Sequence, residues 1–189
     1  MLDGAARIET LAQEVARTGD GAIAMTDHGN VFGAFDFYKT MKKAGVKPII
    51  GIEAYVAPES RFDKKRVKWA EGGEDDVSGG GAYTHMTLLA EDNIGLANLF
   101  KLSSLASLEG FYYKPRMDRE LLSQYSQGLI ATTGCPGGEI QTRIRMGAYK
   151  EARAAAASYR DIFGAENYFV EIMDHGIEIE RRVKEDLLK

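Results

Sequence analysis

The chain has a single cysteine, a single tryptophan, three histidines and four prolines in 189 residues. One cysteine, Cys135, excludes an internal disulfide and fits a reducing, cytoplasmic setting. Long apolar runs are missing too. None approaches the roughly 20 residues needed to cross a bilayer, and the N-terminus has neither a basic stretch nor a hydrophobic signal core. Membrane insertion and secretion are therefore not indicated. Nor is there a basic excess: 24 Lys and Arg stand against 28 Asp and Glu, a formal net charge of −4. That argues against a stand-alone nucleic-acid binder, whose footprint is usually basic. It leaves a nuclease open, because a site that holds cations needs acidic and imidazole ligands. What is present is ordinary: 44% hydrophobic and 28% charged residues, in a length that suits one domain with a substantial core.

Ile8, Leu11, Ala12, Val15 and Ala16 fall at helical spacing and predict a first helix, ended by Gly19 and Gly21. Ala22–Met25 reads as a short buried strand. Asn30 can cap a second helix with Phe35, Tyr38 and Met41 inward, stopped at Gly45. Residues 48–56 form the next strand, and residues 58–82 a long stretch without periodicity, of a kind that is usually functional or disordered. A strand over 83–90, a helix from Asp92, a short helix capped by Asp118 and a strand over 128–132 follow. An amphipathic helix through Ala148 to Ile162, a strand over 168–172 and a charged helix from Ile177 complete the pattern. Strands alternating with helices imply parallel βαβ units, in an open doubly wound sheet or a closed barrel. No repeat of about 20–50 residues is visible, which disfavours a solenoid. A helix-first start and a last helix without a Gly or Pro stop predict a chain cut at both ends.

In a parallel barrel, functional groups collect where strands end. Asp3 precedes the first helix, and His28 follows the first strand in Thr26-Asp27-His28-Gly29-Asn30. Glu53 lies among apolar neighbours, His85 opens a strand, and Cys135 follows the strand over 128–132. Imidazole, carboxylate and thiolate together suit zinc, with manganese or iron as competitors. Each residue also has a plainer reading. Asp3 can be a helix cap, His28 can order a turn, His85 can be a core histidine and Cys135 a small buried hydrophobe. Glu53 is harder to explain that way, since an unpaired buried carboxylate is costly. No local spacing is a zinc signature. Gly134-Cys135-Pro136-Gly137-Gly138 matches no phosphate-binding fingerprint and reads as a tight turn. Lys64, Lys65 and Arg66, near Trp69, read as a solvated charge run rather than a nucleic-acid contact, and His175 as a turn residue.

Taken together, several motifs resemble one family. Leu2-Asp3-Gly4-Ala5, Thr26–Asn30, Lys47–Glu53, Phe111–Asp118, Thr132–Cys135 and Met173–Gly176 are similar to the N-terminal polymerase-and-histidinol-phosphatase (PHP) domain of bacterial DNA polymerase III alpha subunits, in an actinobacterial-like form. The resemblance spans essentially the whole chain. It implies an incomplete, distorted (β/α)7 barrel with up to three metals at one mouth. By resemblance Asp3, His28, Glu53, His85 and Cys135 are metal ligands, Glu53 bridges, and His28 and Glu53 carry the chemistry. Two histidines of the family's first motif and a late Asp-x-His motif fall outside this stretch, so the resemblance implies that the first strand and last β/α units are lacking. The implied activity is a metal-dependent 3′–5′ proofreading exonuclease within a DNA-directed DNA polymerase, acting on the primer 3′ end beside other replisome subunits. Its rivals are a non-catalytic bracing module and a small-molecule phosphatase of the same superfamily. For the 189 residues alone, the expectation is low stability and no exonuclease activity.

Overall fold

The computed structural model describes residues 3–69 and 78–189. It is a mixed α/β fold on one six-stranded sheet. In chain order the elements are α1 (Ile8–Thr18), β1 (Ala22–Met25), α2 (Ala34–Lys43), β2 (Lys47–Val56), β3 (Thr84–Ala90), α3 (Asn93–Leu108), β4 (Arg116–Met117), α4 (Arg119–Gln124), β5 (Leu129–Thr132), α5 (Glu139–Arg145), α6 (Tyr149–Phe163), β6 (Tyr168–Phe169) and α7 (Glu178–Leu187). Short 3-10 turns cover Asp3–Ala5 and Ser78–Gly81. No helix among the described residues is long and apolar enough to cross a membrane.

The sheet runs β1-β2-β3-β5-β6, with β4 added to the end of β2. It is not closed among the described residues. It is also not all parallel, as the alternation of strands and helices had predicted. The β1–β2, β2–β4 and β5–β6 pairs are parallel, but β3 runs antiparallel to both β2 and β5. The stretch between β2 and β3 has no α-helix among its described residues, so this connection lacks the crossover helix that usually returns a chain to parallel pairing.

Alternation along the strands separates two faces. Ile52, Ala54 and Val56 of β2, Met86 and Leu88 of β3, and Leu129 and Ala131 of β5 are buried in the main apolar cluster with Leu99, Leu102 and Ala106 of α3. Each such aliphatic side chain contributes roughly 1.5–3 kcal/mol on burial. The register pairs Glu53 with Thr87, Tyr55 with His85, and Thr87 with Thr132, so these polar residues share the opposite face. This second face positions the site.

One helix and one strand differ in detail from the sequence reading. Asn30 does not cap α2: its side chain closes a turn, donating to the His28 carbonyl and accepting from Phe32 N–H, and the helix begins at Ala34. In α2, Phe37 and Met41 are buried while Phe35 and Tyr38 face out. The strand expected over 168–172 ends at Phe169, because the Thr133 hydroxyl takes the Glu171 N–H in place of a ladder partner. Elsewhere the predicted caps are present. Asp92 accepts from Gly95 N–H and Asp118 from Leu121 N–H, satisfying donors that a helix start leaves open. The residues flanking the undescribed part of the 58–82 segment are tied down by Arg61 and Arg116. Residues 70–77 lie outside the described residues.

Candidate metal centre

The polar face of the sheet collects ligand-type groups from three strand ends. Glu53 Oε1 is 2.6 Å from His85 Nδ1 and 3.1 Å from His28 Nδ1, so one carboxylate oxygen is approached by two imidazoles. His85 Nδ1 is also 3.2 Å from Cys135 Sγ, and that sulfur is 4.0 Å from Glu53 Oε1. Ligand atoms of Glu53, His85 and Cys135 all lie within 4.8 Å of one another. An oxygen, a nitrogen and a sulfur in this compass form the mixed donor set that a divalent transition metal takes. Glu53 and His85 are largely buried, whereas His28 sits on the rim with 42% of its side chain exposed.

Local structure explains each placement. Glu53 N–H donates to Asp27 O and Gly29 N–H to Glu53 O, so the loop after β1 stays in register with β2 and brings His28 alongside Glu53. Gly29 has φ +70°, and a Cβ there would meet the Tyr55 ring at 2.8 Å and Pro115 Cγ at 2.9 Å. Only glycine fits that turn without strain. His85 donates its backbone N–H to Gly137 O, joining β3 to the turn that carries Cys135. Gly137 N–H in turn points at Cys135 Sγ, 3.3 Å away. Gln141 holds the base of this turn through Thr133 Oγ1 and Gly134 O. Burial, with the Glu53 charge next in weight, pushes the Cys135 thiol up to about 12. Such a thiol ionises only against a strong positive charge, which a bound metal supplies.

Of the five residues expected from sequence, the structure brings Glu53, His85 and Cys135 together and sets His28 against Glu53. Asp3 has its backbone in the first 3-10 turn, and its side chain lies outside the described residues. A cleft of about 290 Å³ opens beside this turn, lined by Gly4, Asp27, His28 and Glu53 among others. His175 is not part of the cluster. It bonds Glu180 of α7 through both its ring nitrogen and its backbone N–H. The turn bearing Cys135 makes a backbone link to β3 and leads into α5, whose first residue is the buried Glu139.

Sequence reasoning missed Glu171. Its carboxylate accepts from the hydroxyls of Thr87 and Thr132, on the same polar face as Glu53. A signal existed, since Glu171 follows a β-type apolar run as Glu53 does. Tyr55 was also missed. Its ring lies 5.3 Å from that of His85 and 6.4 Å from that of His28, walling the centre on one side.

A family model described as PHP domain matches residues 1–175. Among curated proteins, the chain is 60% identical to a DNA polymerase III subunit alpha of Saccharopolyspora erythraea, over all of this chain and 17% of that protein. It is 59% identical to the subunit of the same name from Mycobacterium leprae, again over the full chain and 16% of the relative. The Thermus aquaticus protein of that name is 49% identical over 99% of the chain and 15% of its own length. The chain thus spans about a sixth of the length of the relatives it matches.

Proposed function

The chain belongs to the PHP domain family, and from that premise we propose that it is the PHP portion of a bacterial DNA polymerase III alpha subunit. In this reading it acts there as a divalent-metal-dependent 3′–5′ exonuclease on the primer end, in contact with other replisome subunits. The observation that carries it is one carboxylate oxygen shared by His28 and His85, with the Cys135 sulfur completing an O, N, S donor set. Matches to polymerase subunits over the whole of this chain support DNA over a small-molecule substrate. The open sheet corresponds, in this reading, to part of a distorted (β/α)7 barrel whose mouth is the polar face.

Asp3, His28, Glu53, His85 and Cys135 are the residues assigned to the metal, with zinc favoured by the thiol and manganese or iron as competitors. A cation held by these residues would supply an activated water at neutral pH and positive charge against the developing phosphorane-like transition state. The chain's own groups do the rest. Glu53 holds both imidazoles in place through Oε1 and thereby fixes their orientation. His28, on the exposed rim, is assigned to proton exchange at the 3′-oxygen that leaves. Tyr55 and the Cys135 turn keep water from the buried side of Glu53 and His85.

The test is carried out on the full polymerase subunit, with a 5′-labelled single strand whose shortening is followed on a gel. His28→Ala and Glu53→Ala are each expected to remove bound metal and 3′ trimming together. Trimming retained by both variants would overturn the assignment. A wild-type subunit that holds no metal and trims nothing would favour the bracing-module reading instead.

A further inference from the structure

The segment Phe111–Asp118 is one of the most specific motifs of the sequence, and the metal centre does not use it. Its inner end is anchored. Arg116 is fully buried and donates to the carbonyls of Gly110, Ala82, Arg61 and Asp63. Tyr112 lies over that guanidinium at 5.0 Å. Its outer end is presented to solvent. Tyr112 N–H donates to Lys114 O and closes a tight turn with Tyr113 at the apex. Tyr113 has φ +61°, a conformation that is an outlier for a bulky side chain. The residue lies three positions from the anchored Arg116 and is 60% exposed. Strain held by the surroundings to display an aromatic ring calls for a reason in function.

Cations line the same surface. The Arg66 guanidinium lies 5.2 Å from the Tyr113 ring centre, and Lys114 Nζ lies 5.5 Å from that of Tyr55. Lys64 Nζ is spent on the carbonyls of Glu109 and Phe111, not on a carboxylate. Among the described residues no carboxylate pairs with Arg66, Lys64 or Lys114. Lys65 is different, because Glu59 and Asp63 neutralise it. The track also abuts the metal centre. Pro115 packs against the Gly29 turn that carries His28, and Tyr55 links Lys114 to both imidazoles. A chain with net charge −4 thus has, beside its ligand cluster, an exposed aromatic ring flanked by cations that no carboxylate pairs among the described residues.

We infer that Tyr113, Arg66 and Lys114 form a landing track for single-stranded DNA, with a base stacked on Tyr113 and backbone phosphates on the two cations, leading the 3′ end toward His28. The inference rests on the nuclease reading for its direction, not for its contacts. Stacking is tolerant of sequence because every base has a π face, and cations beside the ring follow the phosphates. A duplex offers no unstacked base to Tyr113, so the track discriminates strandedness.

The test is fluorescence anisotropy of a labelled 16-mer oligothymidylate with the 189-residue chain, its folding first verified by circular dichroism, in EDTA so that hydrolysis is excluded. Tyr113→Gly relieves the positive φ while removing the ring, and is expected to weaken binding by about tenfold or more. Tyr113→Trp restores it. Arg66→Gln is expected to lower the slope of log K against log salt by about 0.7, one phosphate's share on a single strand. Arg17→Gln, which removes an exposed cation of α1 paired with Glu14, leaves binding unchanged, which separates the track from the chain's overall charge. The inference is overturned if the wild-type chain binds no oligothymidylate, if Tyr113→Gly binds as the wild type does, or if duplex DNA binds as well as single strand. A subunit without trimming activity whose strand binding still depends on Tyr113 would sink the nuclease reading and leave the track standing.

Discussion

Two polar clusters lie at the same end of β2, and they are built on opposite principles. Around Arg116 and Arg61 each guanidinium meets several acceptors of the protein. Arg116 reaches four carbonyls, while Arg61 reaches Asp118, Glu109 and Glu120, and Asp118 also accepts two backbone N–H groups. Around Glu53, two imidazoles crowd one carboxylate oxygen and a thiol sits beside them with its ionisation suppressed. The first cluster is satisfied by the protein. The second gathers a carboxylate, two imidazoles and a thiol whose ligand atoms face one another. The difference teaches where burial of polar groups serves the fold and where it serves a ligand.

The largest effect expected from breaking this comparison is on the saturated side. Asp118→Ala removes the most buried of the three carboxylates that meet Arg61, together with the α4 cap, so a loss of about 3–5 kcal/mol is expected in urea unfolding. Cys135→Ala in EDTA should cost less than about 1.5 kcal/mol. Equal losses for the two would erase the distinction. Next, zinc at a hundred times its dissociation constant should raise wild-type stability by about 2.7 kcal/mol. His85→Ala should show no such gain, and an undiminished gain in that variant would place the metal elsewhere.

The sequence made the second cluster partly legible because strand periodicity exposes Glu53. It is a carboxylate at every second position from apolar residues, and β2 proved long and regular. His85 and Cys135 looked ordinary alone. Their meeting depends on the antiparallel β2–β3–β5 register, which no local pattern encodes. The same register hid Glu171, whose hydroxyl partners come from two strands remote in sequence. Helices with caps were readable to within a few residues at Asp92 and Asp118. The buried face of α2 was not, since Phe35, Phe37 and Tyr38 offered two apolar faces. The Arg61 and Arg116 anchors were invisible because their main acceptors are backbone carbonyls and carboxylates far along the chain.

A finer test concerns the turn that presents Cys135. Gln141 holds it through Thr133 and Gly134, so Gln141→Leu should weaken zinc binding by about 10–100-fold while Cys135 itself stays in place. Isothermal titration of both proteins measures this, and equal affinities would show that the turn needs no such support. The smallest effect lies outside both clusters. Glu180, by its hydrogen bond first and its charge second, raises the His175 pKa above the ordinary 6.5. A raised pKa means that the pair's contribution is complete below the ordinary value and disappears as pH rises through the raised one. Imidazole resonances followed by NMR should titrate above 6.5, and Glu180→Gln should bring the midpoint back. An unchanged midpoint would remove the His175–Glu180 bond from the account.

The most direct measurement is anomalous X-ray scattering at the zinc edge from crystals of the chain grown with zinc. The account predicts a peak within bonding distance of Glu53, His85 and Cys135. A zinc-replete crystal with no peak among these three residues would contradict it.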